Sequence, residues 1–320
     1  MPRFYFLRAD AAGNQQSAVT VEPPHIPSRF TPITDLNDPR VADYRDVKER
    51  QLLPEFDQSA SPHHTTAQHP GKFLAEGEVV LRMLLRSRFR TLSILGTLPR
   101  LLALDAELGR LAPEIPIYCV DQKLLENLVG FNLHRGLMAA GLRQPPTPPA
   151  ELFARAAPGR PLVALENLVN HDNIGSIFRS AAALGAGGIL LSPQCADPLY
   201  RKSLRVSVGC ALHLPFARLS TWPEGLHPND TKGLPQVARP LVLALTPASD
   251  AIDLDSARTR LIETKQNTII LVGTEGPGLS PEAQRFSDLR VRIPMARGVD
   301  SLNVAVTTAI VLSRLAIPET

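Results

Sequence analysis

The chain has 320 residues, enough for two domains, and its 44% hydrophobic and 20% charged residues can form a sizeable buried core. A net charge of +3 is compatible with nucleic-acid binding but does not require it. No apolar run approaches the roughly 18 residues that a membrane span needs, and the N-terminus has no hydrophobic signal core. We therefore expect a cytoplasmic protein that does not enter a membrane.

Cysteine and histidine usage gives no sign of disulfides or metal. The cysteines are odd in number, far apart and set in apolar surroundings: Cys119, Cys195 and Cys210. We expect them to be reduced, buried thiols. His63, His64 and His69 lie in a Ser/Thr/Pro-rich loop without partner cysteines or carboxylates at ligand spacing. We expect these histidines to be solvated, and no metal site.

The N-terminal half is predicted to be a tail followed by a small α/β domain. Residues 1–37 lack a hydrophobic period and are expected to form a loose tail or a surface arm. Residues 38–142 alternate helical and strand-like patterns, which indicates a layered domain with a partly parallel sheet. Its predicted elements are a helix at Asp38–Leu53, a helix at Ala75–Arg86, a strand at Thr91–Leu95, a helix at Leu98–Leu111, a strand at Ile115–Val120, a helix at Gln122–Leu128 and a strand at Gly136–Leu142.

Arginines cluster at the end of the second predicted helix of this domain. They are Arg82, Arg86, Arg88 and Arg90, and His134 and Arg135 can extend the same surface. A basic cluster of this kind can contact RNA phosphates. A solvated helix end that suits the helix dipole is the alternative.

Residues 143–150, with the sequence RQPPTPPA, are predicted to be an extended linker because proline restricts the backbone. Residues 151–320 then repeat strand and helix in the manner of a doubly wound α/β domain, whose ligands bind at the carboxyl ends of strands. The predicted strands are Leu162–Leu165, Gly188–Leu191, Ala211–Phe216, Leu241–Leu245, Thr268–Val272 and Arg290–Pro294. The predicted helices lie around Ile174–Leu184, Leu199–Ser207, Asp255–Glu263, Pro281–Phe286 and Leu302–Leu315, and residues 221–239 form an irregular excursion.

The segment after the first of these strands carries a candidate site arginine. Asp172 or Asn173 is predicted to cap the helix, so that its positive end faces the ligand side. Gly175 lies four residues before Arg179 and has no side chain, so the guanidinium can lie back toward the capped end. An arginine there suits a phosphate or a ribose hydroxyl. The alternative is an ordinary surface arginine.

Two more segments follow strand ends. GTEGPGLS, residues 273–280, is a glycine-rich turn that lets the backbone approach a ligand, although a simple turn is the alternative. Glu275 within it repels phosphates and favours a cationic or hydroxyl-bearing ligand. In the last segment Ser301 is predicted to cap the C-terminal helix, with Asn303 in its first turn. The alternative there is a buried helix with an ordinary cap.

Together these three segments resemble the SpoU/TrmH branch of the SPOUT RNA methyltransferases. The matching text is N-H-D-N-I-G-S-I-F-R, then G-T-E-G-P-G-L-S, then I-P-M-A-R-G-V-D-S-L-N-V-A, between Glu166 and Leu315. Arg297 puts a charge in a loop that is often smaller. The N-terminal unit resembles the RNA substrate-binding domain that often precedes this catalytic domain, through K-F-L-A-E-G-E-V-V-L-R-M-L-L and G-F-N-L-H-R-G-L-M-A-A-G.

The resemblance implies a parallel sheet with a C-terminal trefoil knot, a homodimer, and S-adenosylmethionine bound in the knot. It implies 2′-O-methylation of an RNA ribose, with Arg179 activating the hydroxyl. Because arginine stays protonated at ordinary pH, we expect Arg179 to hold the adjoining phosphate and polarise the hydroxyl. The implied cofactor-binding residues are Thr246, Gly273, Ile293 and Leu302, and the residues that shape the site are Asn173, Glu275, Ser301 and Asn303.

Two other functions stay open at this stage. One is an RNA-binding or ribosome assembly factor that keeps the fold without the chemistry; the intact set of site residues speaks against it. The other is a related enzyme that methylates a base nitrogen; the Ser-Leu-Asn segment favours the ribose. The separate N-terminal domain favours ribosomal RNA over transfer RNA as the substrate.

Overall fold

The computed structural model describes residues 25–46, 52–53, 71–130, 136–227, 239–299 and 301–316. These residues form two β-sheets with helices around them. The histidines at 63, 64 and 69, His134, Arg135 and most of the 221–239 excursion lie outside the described residues. None of the described helices is long and apolar enough to cross a membrane.

The first sheet has five strands in the order β1-β4-β3-β5-β2. Its first three strands in that order run parallel, and β5 pairs antiparallel with both β3 and β2. The sheet is therefore partly parallel, as the sequence predicted. The strands are β1 Phe30–Pro32, β2 Lys72–Glu76, β3 Thr91–Thr97, β4 Ile117–Val120 and β5 Leu137–Leu142, and the helices are α1 Glu78–Leu85, α2 Leu98–Leu102, α3 Asp105–Leu108 and α4 Gln122–Val129.

Several elements of this unit differ from the sequence prediction. Phe30 is buried in β1, so the end of the predicted tail belongs to the sheet. The strand β2 occupies residues that contain the helix formers Leu, Ala and Glu, and pairing with β5 overrides that preference. Of the first predicted helix, Asp38–Leu53, residues 47–51 lie outside the described part of the chain, and Pro39–Tyr44 form a 3₁₀ turn with Val41 and Tyr44 buried. The helix predicted at Leu98–Leu111 is two short helices, α2 and α3.

The second sheet has seven strands, all parallel, in the order β10-β12-β9-β11-β6-β7-β8. Its central strands are almost entirely buried because helices cover both faces. The strands are β6 Leu162–Leu165, β7 Gly188–Leu191, β8 Phe216–Arg218, β9 Leu241–Leu245, β10 Ile252–Asp253, β11 Thr268–Val272 and β12 Leu289–Arg292. The helices are α5 Pro149–Phe153, α6 His171–Ala183, α7 Arg201–Val206, α8 Leu254–Thr264, α9 Pro281–Phe286 and α10 Val304–Leu315.

The strand predicted at Ala211–Phe216 is wrong. Residues Cys210–Leu212 form a 3₁₀ turn, and the strand β8 begins only at Phe216. The positive φ of Gly209, +83°, turns the chain between α7 and this 3₁₀ segment. The apolar residues here are buried in a turn and not in a strand.

The two sheets share one continuous hydrophobic core, which includes Phe73 and Leu84 of the first unit and Phe178 and Leu204 of the second. Among the described residues, two ion pairs also reach the second unit from the preceding chain: Arg143 of the predicted linker donates to Asp197 at 2.6 Å, and Arg205 donates to the buried Glu76 of the first unit at 3.3 Å. The chain runs from β5 through residues 143–148 to α5, which begins at Pro149. We propose that residues 143–150 divide the chain into two sequence units, which pack closely together.

Candidate functional site

A cleft of about 620 Å³ opens at the carboxyl ends of β9, β11 and β12, beside the start of α10. Parallel strands that end at one edge of a sheet bring the loops after them together there. The four residues predicted to bind the cofactor all line this cleft: Thr246, Gly273, Ile293 and Leu302. Glu275, Ser301 and Asn303 line it too, whereas Asn173 and Arg179 do not.

The glycine-rich loop on one side of the cleft is folded tightly on itself. The amide of Gly278 donates to the carbonyl oxygen of Thr274 at 3.0 Å. A Cβ atom on Gly273 would lie 2.2 Å from the carbonyl carbon of Gly278, so no larger residue fits there without moving the loop. Gly276 and Gly278 have φ angles of +81° and +72°, with open space around the Cβ position. Glycine is therefore needed for close packing at 273 and for backbone conformation at 276 and 278.

The side chain of Asn303 joins the three segments. Its Oδ1 accepts from the amides of Ala305 at 2.9 Å and Val306 at 3.3 Å, and so caps α10. Its Nδ2 donates to Asn173 Oδ1 at 3.0 Å and to Glu275 Oε1 at 2.9 Å. These bonds use both donors and both acceptor positions of the amide. Asn303 is thus a bridge that fixes its neighbours, and the predicted cap at Ser301 is wrong.

The helix α6 brings Asn173 to this bridge. Its N-cap is Asn170, whose Oδ1 accepts from the amide of Asp172 at 2.8 Å, so the predicted caps at Asp172 and Asn173 are wrong. Asn173 lies within the first turn and is buried, with 6% of its surface exposed. Because Asn170, three residues earlier, caps the helix, the Asn173 side chain is free to accept from Asn303.

Aromatic and charged side chains flank the start of α6. His171 stacks on Tyr200, with 4.0 Å between ring centroids, and Asp172 pairs with Lys202 at 2.6 Å. Burial, and secondarily the charge of Lys202, lower the pKa of His171, while Asp197 and Asp172 raise it. The net lowering favours a neutral imidazole at neutral pH.

Arg179 does not lie where the sequence argument placed it. A Cβ atom on Gly175 would lie 2.7 Å from the Ser203 carbonyl oxygen and from Val206 Cβ, so α7 fills the space beside Gly175. The missing side chain allows two helices to pack closely and leaves no channel for a guanidinium. Arg179 is exposed, and its charge lowers the pKa of the Cys210 thiol, against a larger upward shift from burial. The Arg179 side chain therefore lies on the side of α6 that faces α7 and Cys210.

The charge around the cleft is acidic. Glu275 is the one charged side chain among the described residues that line it, and none of these residues is Lys, Arg or His. Glu275 Oε1 is held by Asn303, and the glutamate is exposed. A ligand that carries several phosphates would find no positive side chain here, whereas a cationic ligand would find a carboxylate.

Residues that the sequence did not single out also shape the cleft. Met295, Gln284 and Thr307 line it, and the buried Glu166 binds Ser280 at the end of the glycine-rich loop. Glu166 follows β6 directly. A carboxylate immediately after a buried strand is the one sequence feature that could have identified Glu166 as a site residue. Elsewhere in the described ranges, no group of three His, Cys, Asp or Glu side chains is placed to hold a metal ion.

The comparison with known families agrees with this geometry. The model of the SpoU rRNA Methylase family matches residues 160–313. A Mycobacterium bovis protein described as an uncharacterized tRNA/rRNA methyltransferase is 38% identical over 280 residues, which cover 87% of this chain and 88% of that protein. The chain belongs to the SpoU methylase family of RNA methyltransferases. The family membership predicted from the three segments is confirmed.

Solved structures with the SpoU methylase fold match most of the chain. An AdoMet-bound rRNA methyltransferase from Sinorhizobium meliloti has a TM-score of 0.66 at 23% identity, and the match covers 90% of this chain and 97% of that one. A protein described as an RNA 2′-O ribose methyltransferase has a TM-score of 0.63 at 24% identity, with coverage of 89% and 98%. At these identities the likeness concerns the fold, and the predicted α/β class with a parallel sheet is confirmed.

The arginines of the first sheet are not equivalent. Arg82 is half-buried and paired with Glu78, at 3.1 Å, and with Glu107. Arg88 donates to Thr147 Oγ1 at 3.1 Å and lies over the ring of Phe89. Within the predicted cluster, the two arginines that are exposed and have no such contact among the described residues are Arg86 and Arg90. Ion pairing therefore removes Arg82 from the predicted phosphate-binding cluster.

Proposed function

We propose that this protein transfers the methyl group of S-adenosylmethionine to the 2′-hydroxyl of a ribose in structured RNA. The observation that carries the proposal is the cleft at the strand ends, whose one described charge, Glu275, is tied through Asn303 to Asn173. That bridge links the cofactor side to the helix that bears Arg179.

The residues around the cleft fit S-adenosylmethionine. Apolar side chains of Leu245, Leu279 and Ile293 can take the flat adenine ring, and backbone groups of three loops can bind its polar edge and the ribose. Glu275 suits a ligand with cationic groups, and the absence of basic side chains among the described lining residues disfavours ATP or NAD. The bound cofactor supplies an electrophilic methyl group on a sulfonium.

The residues of the chain then hold the acceptor. Asn303 uses all of its hydrogen-bonding capacity on protein atoms, so it positions Glu275 and Asn173 and does not itself bind the ribose. Arg179 is exposed and lies six residues after Asn173 on the same helix, about 9 Å further along its axis. Arg179 therefore suits the phosphate next to the target ribose, while the Asn173 end faces its hydroxyl. Alignment of the hydroxyl with the sulfonium methyl supplies much of the rate.

A second copy of the chain completes the site in this proposal. Exposed apolar side chains lie within four residues of Asn173 or Asn303 in the sequence: Val169, Val299, Leu302 and Val306. Apolar residues around a polar active centre are typical of a subunit interface. The homodimer and the C-terminal knot implied by the family resemblance belong to this proposal, as does the cytoplasmic location expected from the sequence.

Ribosomal RNA is the proposed substrate in preference to transfer RNA, because the first sheet and its exposed Arg86 and Arg90 extend the surface beyond the catalytic unit. A larger contact surface suits a structured site in a large RNA. The relative from M. bovis is described with both RNA classes, and the experiment below separates them.

The test uses S-adenosylmethionine with a labelled methyl group and total RNA from cells that lack the protein. We expect label in one RNA species, and alkali should then release the label in an undigested dinucleotide. A 2′-O-methyl group removes the hydroxyl that attacks the adjoining phosphate, so that linkage resists alkali. Label released in a mononucleotide would instead identify a base-methylating enzyme. RNA that binds without any label would identify an assembly factor.

A further inference from the structure

Glu166 is a buried carboxylate that the proposed mechanism does not use. It follows β6 at the same edge of the sheet as the cleft, and only 2% of its surface is exposed. Three donors surround it: Trp222 Nε1 and Ser280 Oγ donate to Oε1, each at 2.7 Å, and the Ser280 amide donates to Oε2 at 2.8 Å. This arrangement requires acceptors on both oxygens, which is the property of a carboxylate.

The two partners of Glu166 come from different segments. Ser280 ends the glycine-rich loop and caps α9, because its Oγ also accepts from the amide of Ala283 at 3.1 Å. Trp222 lies in the irregular excursion after β8 and packs against the apolar cluster that contains Leu279. Leu279 lines the cleft. Glu166 therefore connects the excursion to the loop that forms one wall of the cleft.

No ion pair offsets the charge of Glu166 within the part of the chain that the structure describes. A buried charge is costly, and here three hydrogen bonds compensate for the lost hydration. An amide in its place would point an NH₂ group toward donors and lose at least one of these bonds. The carboxylate thus fixes the position of Ser280 more firmly than a neutral residue of the same shape.

We propose that Glu166 and Trp222 are positioning residues for the cofactor loop: Glu166 holds residues 273–280 in the shape that the cofactor requires, and Trp222 holds Glu166. The identity of the cofactor rests on the proposed function, whereas the restraint on the loop does not. The excursion after β8 accordingly acts on cofactor binding through a contact outside the cleft.

The test compares Trp222→Phe, which keeps a ring but removes the donor, with Glu166→Gln. Calorimetry with S-adenosylhomocysteine should give a Kd raised about threefold for Trp222→Phe and about tenfold for Glu166→Gln, as expected for weakening hydrogen bonds to a charged group. The KM for S-adenosylmethionine should rise in parallel, with kcat at saturating cofactor within about twofold of the parent, because neither residue contacts the reacting atoms.

Tyr44→Phe is the matched control. It removes a buried aromatic hydroxyl that is 2.7 Å from Ser93 Oγ and accepts from the amide of Ala140, in the first sheet. It should lower the melting temperature while leaving the Kd unchanged. Because Trp222 is the single tryptophan of the chain, its fluorescence reports on this contact directly. The emission of the parent protein should change with S-adenosylhomocysteine at the calorimetric Kd.

Hydrogen exchange of the free protein separates the two proposals. Peptides from residues 273–284 should exchange faster in Glu166→Gln and in Trp222→Phe than in the parent. Their exchange should be unchanged in Tyr44→Phe. If the parent does not bind S-adenosylhomocysteine, the proposed cofactor is wrong and this exchange result alone decides the restraint. Unchanged exchange in both variants, or a Kd within twofold of the parent, would overturn the positioning role. Should Glu166→Gln not fold, Trp222→Phe decides.

Discussion

The polar residues of the two sheets are used in opposite ways. At the carboxyl ends of the parallel sheet, Asn303 and Glu166 each collect hydrogen bonds from separate loops and hold a cleft open beside them. In the first sheet, Arg82 is held by carboxylates that cancel its charge, while Arg86 and Arg90 project from the surface. Hydrogen-bonded polar groups build a shape, whereas unpaired surface charges supply long-range attraction. Loss of the first kind should therefore change cofactor binding and the geometry of the site, and loss of the second should change salt-dependent RNA binding.

The largest effect is expected at Arg179, an exposed charged residue on the same helix as the hydrogen-bonded Asn173. Arg179→Ala should lower methyl transfer by about 10²-fold or more, because in the proposed mechanism the charge of Arg179 holds and polarises the acceptor. Arg179→Lys should restore little, since an ammonium cannot replace the planar fork of a guanidinium. Cofactor affinity should stay within about twofold of the parent, because Arg179 does not line the cleft.

The assay measures labelled methyl transfer and cofactor binding on the same preparations. Arg258→Ala serves as the control, since that exposed arginine on α8 donates to the Arg314 carbonyl oxygen, away from the cleft. Full activity in Arg179→Ala would reject the catalytic role. A parallel loss of cofactor binding would show that Arg179 supports the fold.

The glycine-rich loop offers the next largest effect. Gly273→Ala should raise the Kd for S-adenosylhomocysteine by at least about tenfold, because the new Cβ collides with the Gly278 backbone. Gly278→Ala has open space and meets only the cost of a positive φ, about 1 kcal/mol, so its Kd should rise about fivefold or less. Calorimetry on both variants measures the difference. Equal effects would show that crowding at 273 does not govern the cleft.

The apolar rim of the site tests the proposed dimer. Val306→Asp should convert the proposed dimer to monomers, because it places a charge in the proposed interface, and methyl transfer should fall with the loss of the dimer. Sedimentation velocity measures the association state. Ile262→Asp is the matched control, since Ile262 is an equally exposed apolar residue, 56% against 48%, on α8. A parent protein that sediments as a monomer at assay concentrations would contradict the proposal.

The smallest effects are expected at the first sheet. Arg86→Gln and Arg90→Gln together should weaken RNA binding and reduce the slope of log affinity against log salt by roughly 1.5 to 2, if each arginine neutralises one phosphate. Arg82→Gln should leave that slope almost unchanged, because the charge of Arg82 is already paired. Filter binding over a range of salt concentrations measures both slopes. A similar slope change for Arg82→Gln would show that its ion pairs open when RNA binds.

The parallel sheet was predictable to within a residue or two at most strands. Thr268–Val272 and Leu162–Leu165 are short apolar runs bounded by polar loops, and such runs form buried strands wherever helices cover both faces. The strand β8 was misplaced because the apolar residues before it fill a 3₁₀ turn, which burial alone does not distinguish from a strand. The strands β1 and β2 were missed because neither has a clear alternating pattern and both are defined by their partners.

The candidate site divided in the same way. The motifs gave the loops that line the cleft, and the family resemblance assigned Glu275 and Asn303 to one site, although not the hydrogen bond between them. The capping residues were wrong at both functional helices, because several polar residues in each segment can cap and the direction of chain entry selects one. The prediction that Gly175 leaves room for the Arg179 guanidinium was wrong. The space beside Gly175 is filled by α7, which lies outside the motif and could not be placed from the motif alone.

By itself the sequence determined five of the seven strands of the parallel sheet, all but β8 and β10, together with the three loops at their carboxyl ends and the family to which the chain belongs. These depend on local apolar runs and on short motifs that any tertiary arrangement must accommodate. Only the tertiary structure decided which side chain caps each helix, that Asn303 is saturated by protein partners, that Arg82 is neutralised and that Glu166 joins Trp222 to Ser280. Those features depend on which donors and acceptors meet across segments far apart in the chain, and hydrogen bonds act only over about 3 Å.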